Sequence, residues 1–294
     1  MRRSCIVFCG FLFIGFFGFS QTFRPFSENH NRLVQGVSFS PDGKVLYMAI
    51  PHKERLQALG KIDFKDAPRL AIYWSKQTEI GWGKPVLWKH SGTYKDYEPT
   101  ASPLGDVLFF NSNRPLEGSQ THEKNNIWYS RFKNGDWEQP TSLCNINTPE
   151  EEQSYPTLSK KGKLIYTTEE NQNGKSVFAL FETVFEGRMT EAGKRIRFPN
   201  FHLDVSDPWV SPKGDYLIFT AFATGDWQNT CDLYISFRKN GQWTKPIAMT
   251  ELNSSGPDFS PTVSSNGKWI YYRKNHEFLK LPFKKLLKKY SKME

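Results

Sequence analysis

The stretch that decides the fold is "SPKGDYLIFT", Ser211 to Thr220. Pro212-Lys213-Gly214-Asp215 is turn chemistry, and Tyr216-Leu217-Ile218-Phe219 is an apolar, β-prone run. Four more copies follow the same grammar: "SPDGKVLYMA" from Ser40, "SPLGDVLFFN" from Ser102, "SKKGKLIYTT" from Ser159 and "SSNGKWIYYR" from Ser264. Their turn glycines, Gly43, Gly105, Gly162, Gly214 and Gly267, are 62, 57, 52 and 53 residues apart. A period near 50 with β-type content is the mark of a β-propeller, in which each unit is a four-stranded blade. The 21 glycines and 18 prolines suit many short strands and turns.

The four strands of a unit can be placed from the sequence. The first precedes the glycine, as in Pro99-Thr100-Ala101-Ser102, and the second follows it, as in Val107-Leu108-Phe109-Phe110. A third is expected at Asn126 to Ser130, with counterparts at Asp232 to Ser236 and Leu70 to Ser75. The fourth opens on a Trp-x-x-Pro phrase at Trp82 to Pro85, Trp137 to Pro140 and Trp243 to Pro246. Asn134-Gly135 and Asn240-Gly241 join third to fourth strands, because both residues of the tight hairpin turn need positive φ. The third unit is degenerate, with Gly187 and Met189 at the Gly-x-Trp positions.

The fifth unit has no Trp-x-x-Pro phrase. Upstream of the first unit, however, Pro25 lies 18 residues before Gly43, close to the 20, 22 and 21 residues of the other units. The N-terminal segment is therefore expected to supply the missing outer strand and close a five-bladed, all-β ring, which removes two open sheet edges.

Arg2 and Arg3, the apolar run from Ile6 to Phe19 and the small residues around Ser20 form a secretory signal, expected to be cleaved after Ser20. The expected organisation is a signal over 1–20, a propeller over 21–283 and a basic tail or short amphipathic helix over 284–294. The protein is expected in the periplasm or outside the cell, as a monomer. Cleavage leaves Cys144 and Cys231, expected to be ordinary small buried residues. The formal charge of +9 falls to +7 without the signal arginines, and +5 of that sits in the last fifteen residues. The body is near neutral, which excludes a nucleic-acid-binding surface.

The phrases resemble the WD-like repeats of TolB-like propellers. The carrying residues are Ser40 to Gly43 and its variants, "FFNSNRP" from Phe109, "NIWYSRFKNGDWEQP" from Asn126 and the segment from Ile146 to Ser159. The resemblance covers nearly all of the chain after the signal. It implies an exported propeller acting as a binding platform in envelope complexes. The chain departs from TolB in showing five units rather than six.

Ligands of propellers usually bind at the axial funnel, where the loops entering each inner strand converge. Seven residues before the turn glycine stand Gly36, Glu98, Tyr155, Asp207 and Ser260, with Asp96, Gln153, Asp204 and Asp258 nearby. Glu98, Tyr155, Asp207 and Asp258 are the candidate binding residues, for a protein or polysaccharide partner. The plainer reading is a channel mouth filled with solvated polar groups. The rival is a glycoside hydrolase using Glu98, Asp207 and Asp258 as acid, base and positioning group.

No cofactor or metal is expected: His30, His52, His90, His122, His202 and His276 show no ligand spacing. The loop from Pro51 to Arg69 is the longest second-to-third-strand connection and a candidate interaction site. At the C-terminus, Phe283, Leu286, Leu287 and Tyr290 form an apolar stripe between lysines. That helix is expected to pack on the propeller, while its lysines suit a weak contact with an anionic membrane surface.

Overall fold

Each inner hairpin is set by its serine and its glycine. The backbone N–H of Gly43 donates to the Ser40 carbonyl (2.8 Å), and Gly105, Gly162, Gly214 and Gly267 repeat this contact. All five glycines have φ between 67° and 77°, a left-handed conformation in which a Cβ is penalised. The serine hydroxyl turns inward and accepts the N–H that opens the second strand: Val45 onto Ser40 (2.9 Å), Val107 onto Ser102 (3.1 Å), Trp269 onto Ser264 (3.0 Å). The hydroxyl donates in turn to Asp42, Asp106, Asp215 or Asn266. Ser and Gly recur because one closes the turn and the other permits it.

The computed structural model describes residues 21–22, 34–52, 70–116, 124–187, 191–275 and 277–294. The expected signal, Met189 and nearly all of the 51–69 loop lie outside these residues. Among the described residues, five antiparallel sheets follow one another along the chain. Blade 1 comprises Gln35–Phe39, Val45–Pro51 and Leu70–Thr78, blade 2 Asp96–Ala101, Val107–Ser112 and Asn126–Lys133. Blade 3 comprises Glu152–Leu158, Lys163–Gln172, Lys175–Val184 and Lys194–Arg195, and blade 4 Asp204–Val210, Tyr216–Phe222 and Asp232–Lys239. In blades 1, 2 and 4 the fourth strand is split into two short pieces, such as Asp136–Trp137 and Thr141–Ser142, with the proline of the Trp-x-x-Pro phrase between them. Proline lacks the N–H that a continuous ladder requires.

Blade 5 has Asp258–Val263, Trp269–Lys274 and Glu277–Pro282, and its outer strand is Gln21–Thr22, paired antiparallel as Gln21 with Lys280 and Thr22 with Leu279. The N-terminal strand thus completes the last blade. First strands of successive blades touch in cyclic order, and blade 5 returns to blade 1. This is a five-bladed propeller.

The core lies between blades. Tyr47, Ile72, Leu108 and Phe110 join blades 1 and 2, Phe109, Tyr129, Leu164 and Phe185 join blades 2 and 3, and Ile165, Leu180, Leu217 and Phe219 join blades 3 and 4. Blade 5 is bound to blade 4 through Ile218, Ile235, Ile270 and Tyr272, and to blade 1 through Tyr271 and Phe278. Asn134-Gly135 and Asn240-Gly241 take the expected paired positive φ, and Asn173-Gly174 does the same in a hairpin of blade 3.

The helix Phe283–Met293 packs on the same core. Phe283 and Tyr290 are buried, with Leu286 and Leu287 against them, and Glu251 receives both Tyr290 Oη and Lys289 Nζ. Phe283 therefore belongs to the helix and anchors it. A short helix, Trp227–Thr230, was not expected from sequence. Cys231 is buried as expected, whereas Cys144 is exposed and corrects that reading: it lies in the outermost turn of blade 2, where nothing covers it. His52 is buried beside the Tyr73 hydroxyl (2.8 Å), as a core histidine.

Candidate functional site

Every first strand is interrupted by a bulge at the same place. The register shifts between Gln35 and Val37, Tyr97 and Thr100, Ser154 and Thr157, Ser206 and Trp209, and Phe259 and Thr262. The bulged residues are Gly36, Glu98, Tyr155, Asp207 and Ser260, with φ of 61°, 48°, 52°, 46° and 50°. Left-handed backbone costs a non-glycine residue about 1–2 kcal/mol. In four blades a proline comes next, which ordinarily holds its predecessor extended. Four non-glycine residues therefore carry local strain at one level of the ring, a pattern that clusters at functional sites.

Glu98, Tyr155, Asp207 and Ser260 line the floor of an axial cavity of about 520 Å³. Its walls are Phe39, Trp209, Tyr216 and the prolines that follow the bulges, and its rim carries Pro41, Lys160, Lys213 and, from the C-terminal helix, Leu287. The cavity opens on the face of the inner-hairpin turns. That corrects the expectation of a funnel at the loops entering the first strands: the bulge ring is the base of the cavity, not its mouth.

Ser260 Oγ lies 3.1 Å from Asp207 Oδ1 and 3.4 Å from Glu98 Oε1. The two carboxyls, from blades 2 and 4, are thus no further apart than those two contacts laid end to end. Glu98 also lies over Gly36, where any Cβ would strike its carboxyl group. Although Glu98 keeps some accessible surface, that surface faces the channel rather than bulk water. Desolvation and then the charge of Asp207 push Glu98 up to about 8, against the pull of Arg273 and Ser260. Desolvation raises Asp207 to about 6, opposed by hydrogen bonds from Ser206 and Ser260 and by Arg273. The Ser260 hydroxyl stands between the two carboxyls as the donor within reach of both, nearer to Asp207 than to Glu98. Burial and the neighbouring carboxylates hold the Tyr155 hydroxyl far above its ordinary range.

Three of the four candidates, Glu98, Tyr155 and Asp207, therefore meet at one level of the axis. Asp258 does not line the cavity. It is wholly buried and accepts the N–H (2.5 Å) and hydroxyl (2.8 Å) of Ser254, bracing the loop that enters blade 5. The neighbours named from sequence do similar work: Asp96 binds Arg114 (2.5 Å), Gln153 accepts the Thr148 N–H (3.0 Å) and Asp204 accepts the Thr224 hydroxyl (3.0 Å). Asp96, Gln153 and Asp258 lie two residues before Glu98, Tyr155 and Ser260 and would share their face in a regular strand; the bulge turns the two sets apart.

Sequence reasoning did not single out Arg273, Trp209 or the two rim lysines. Arg273 sits on the second strand of blade 5 opposite Phe259, packs over that ring at 5.2 Å, and is 8% exposed. Burial depresses its pKa, while Glu98 and Asp207 raise it. The available signal was a lone arginine in "YYRK" where the other repeats carry Ala49, Asn111, Thr167 and Thr220.

No family model and no curated protein matches the chain. Solved structures do. A TolB candidate from Agrobacterium tumefaciens is 16% identical with a TM-score of 0.50, over 82% of this chain and 69% of that one. A thermostable family-43 glycoside hydrolase is 9% identical with a TM-score of 0.53, over 84% of this chain and 88% of that one. These likenesses establish the propeller. They support the TolB-like resemblance at the level of the fold, and the same fold serves a hydrolase.

Proposed function

We propose that the protein is an exported, non-enzymatic binding propeller of the cell envelope that takes part of a protein or polysaccharide partner into its axial cavity. The observation that carries this reading is the cavity itself: apolar walls, a polar strained floor and an open mouth, the form of a ligand site. The basic start and apolar run of residues 1–20 support export. The test is cross-linked affinity purification of the tagged protein from envelopes, beside a Glu98→Ala/Tyr155→Ala/Asp207→Ala variant. Asp258 is left native, because its loss would loosen the blade 5 loop rather than empty the site. A partner enriched with wild type and lost with the variant is the expected result; equal enrichment would place binding elsewhere.

One observation favours a second reading. Glu98 and Asp207 face each other across the axis, close enough for the paired carboxyls of glycoside hydrolases, which lie roughly 5–9.5 Å apart. Burial raises both carboxyls, Glu98 further than Asp207, the direction an acid and base pair requires. Release of new reducing ends from oligosaccharides, abolished by Glu98→Gln and by Asp207→Asn, would establish hydrolysis instead.

A further inference from the structure

The hydroxyls of the cavity wall are largely consumed by the framework. Ser38 Oγ accepts the Ala101 N–H (2.9 Å) and Thr157 Oγ1 the Val210 N–H (3.1 Å), each bonding one blade to the next. Ser102, Ser211 and Ser264 are engaged in their turns. The floor adds Glu98, Asp207, Ser260 and Tyr155, polar groups gathered at one level of the axis.

Behind that floor lies a second set of polar groups, some of whose atoms are unpaired among the described residues. Asn111, Thr167, Thr220 and Arg273 stand opposite Tyr97, Ser154, Ser206 and Phe259, one position before the bulge in four different blades. Thr167 Oγ1, Thr220 Oγ1 and Arg273 Nε are enclosed and have no hydrogen-bond partner among the described residues. Arg273 makes no hydrogen bond among the described residues, and its charge acts on both Glu98 and Asp207. None of these four residues lines the cavity, so their unpaired atoms suit buried water behind the floor, and the ligand is read from the floor itself.

The charges decide the kind of ligand. A cation descending the axis gains Asp207 and meets Arg273. An anion gains Arg273 and meets Asp207. An uncharged group that both donates and accepts is opposed by neither. We propose that the floor of the axial cavity is a site for a neutral oligosaccharide, whose hydroxyls bridge Asp207, Ser260 and Glu98 while a sugar face lies against Trp209. The volume suits it, since ligand pockets run from about 300 to 1,000 Å³. Trp209 forms part of the wall, remains partly exposed, and is braced by Tyr216 with ring centres 5.9 Å apart. The inference rests on the binding reading and narrows its partner to a saccharide.

The test uses the full-length secreted protein with cellotriose, maltotriose, xylotriose and tri-N-acetylchitotriose as probes. Trigalacturonic acid, chitosan trimer and a proline-rich peptide serve as controls. Binding is read by calorimetry and by tryptophan fluorescence. At least one neutral trisaccharide is expected to bind with Kd below about 1 mM, and its charged counterparts at least about tenfold more weakly. Asp207→Asn should weaken binding about tenfold or more, the cost of losing a charged acceptor. Ser260→Ala provides a second variant should Asp207→Asn melt early, and Lys89→Ala, on the exposed outer part of blade 1, should change nothing. Absence of neutral trisaccharide binding up to about 10 mM, preference for a charged probe, or indifference to both floor variants would overturn the proposal. If the envelope purification still yields a partner lost with the cavity variant, the saccharide assignment falls and the binding reading stands. If a neutral sugar is bound and cleaved, the site stands and the non-enzymatic reading falls.

Discussion

Glu98 carries the sharpest consequence at the scale of a single residue. In the unfolded chain its carboxyl ionises near pH 4.3; in the folded protein it holds its proton to about 8. Between those values the native state binds the extra proton, so stability from this group is present at low pH and declines as pH rises through 8. Asp207, raised to about 6, adds a loss of the same sign in the lower part of that window. Glu98→Gln removes the ionisation while keeping the shape. Its melting temperature is expected to match wild type near pH 5 and to exceed it by several degrees at pH 9, on the order of a few kcal/mol of linkage. Melting curves from pH 5 to 9 check this, and parallel curves for both proteins would show that Glu98 titrates normally.

At the scale of the element, the C-terminal helix is held by packing rather than by its own propensity. No acidic residue stands in its first turn, where Lys284 and Lys285 oppose the helix dipole, and eleven residues are marginal alone. Phe283, Tyr290 and the contact of Leu287 with the cavity rim bind it to blades 4 and 5. Deleting residues 284–294 should therefore lower the melting temperature by roughly 5–10 °C, through loss of Tyr290, Leu286 and Leu287 from the core. The envelope fractionation that the proposed function expects should be the same for the truncated and the intact protein. A stable truncation that leaves the envelope would assign the helix to a membrane surface instead.

For the whole molecule, the decisive device is closure. Each blade buries its faces only against its neighbours, and blade 5 lacks a fourth strand until Gln21–Thr22 pairs with Leu279 and Lys280. Production of the chain from Val34 onward should leave that edge unpaired. We expect unfolding to lose cooperativity, with an early transition for blade 5 and concentration-dependent self-association through the exposed strand. Calorimetry and light scattering check both; a single unshifted transition would show that the remaining blade contacts suffice for closure.

The repeat, the five turn glycines and the paired Asn-Gly hairpins were legible in the sequence because each rests on local backbone chemistry, and the donated N-terminal strand because the repeat spacing left one strand missing at the end and one over at the start. Gly214 needs its left-handed φ whatever surrounds it, and Ser102 closes its own turn. The bulge ring was half legible: counting back seven residues found Glu98, Tyr155 and Asp207, since the repeat carries register. In blade 5 the count gave Ser260, and Asp258, two residues earlier, was chosen as the nearby carboxylate; that a bulge turns Asp258 to a loop is visible only in the strand pairing. Nor could it find the Ser260 bridge, the buried Arg273 or the face on which the cavity opens. Those depend on groups from blades 2, 4 and 5, between 53 and 162 residues from Ser260 or from one another along the chain, being brought to one axis. The sequence alone determined how each blade is built; the protonation of Glu98 and the shape of the cavity were decided by burial, which exists only once the ring has closed.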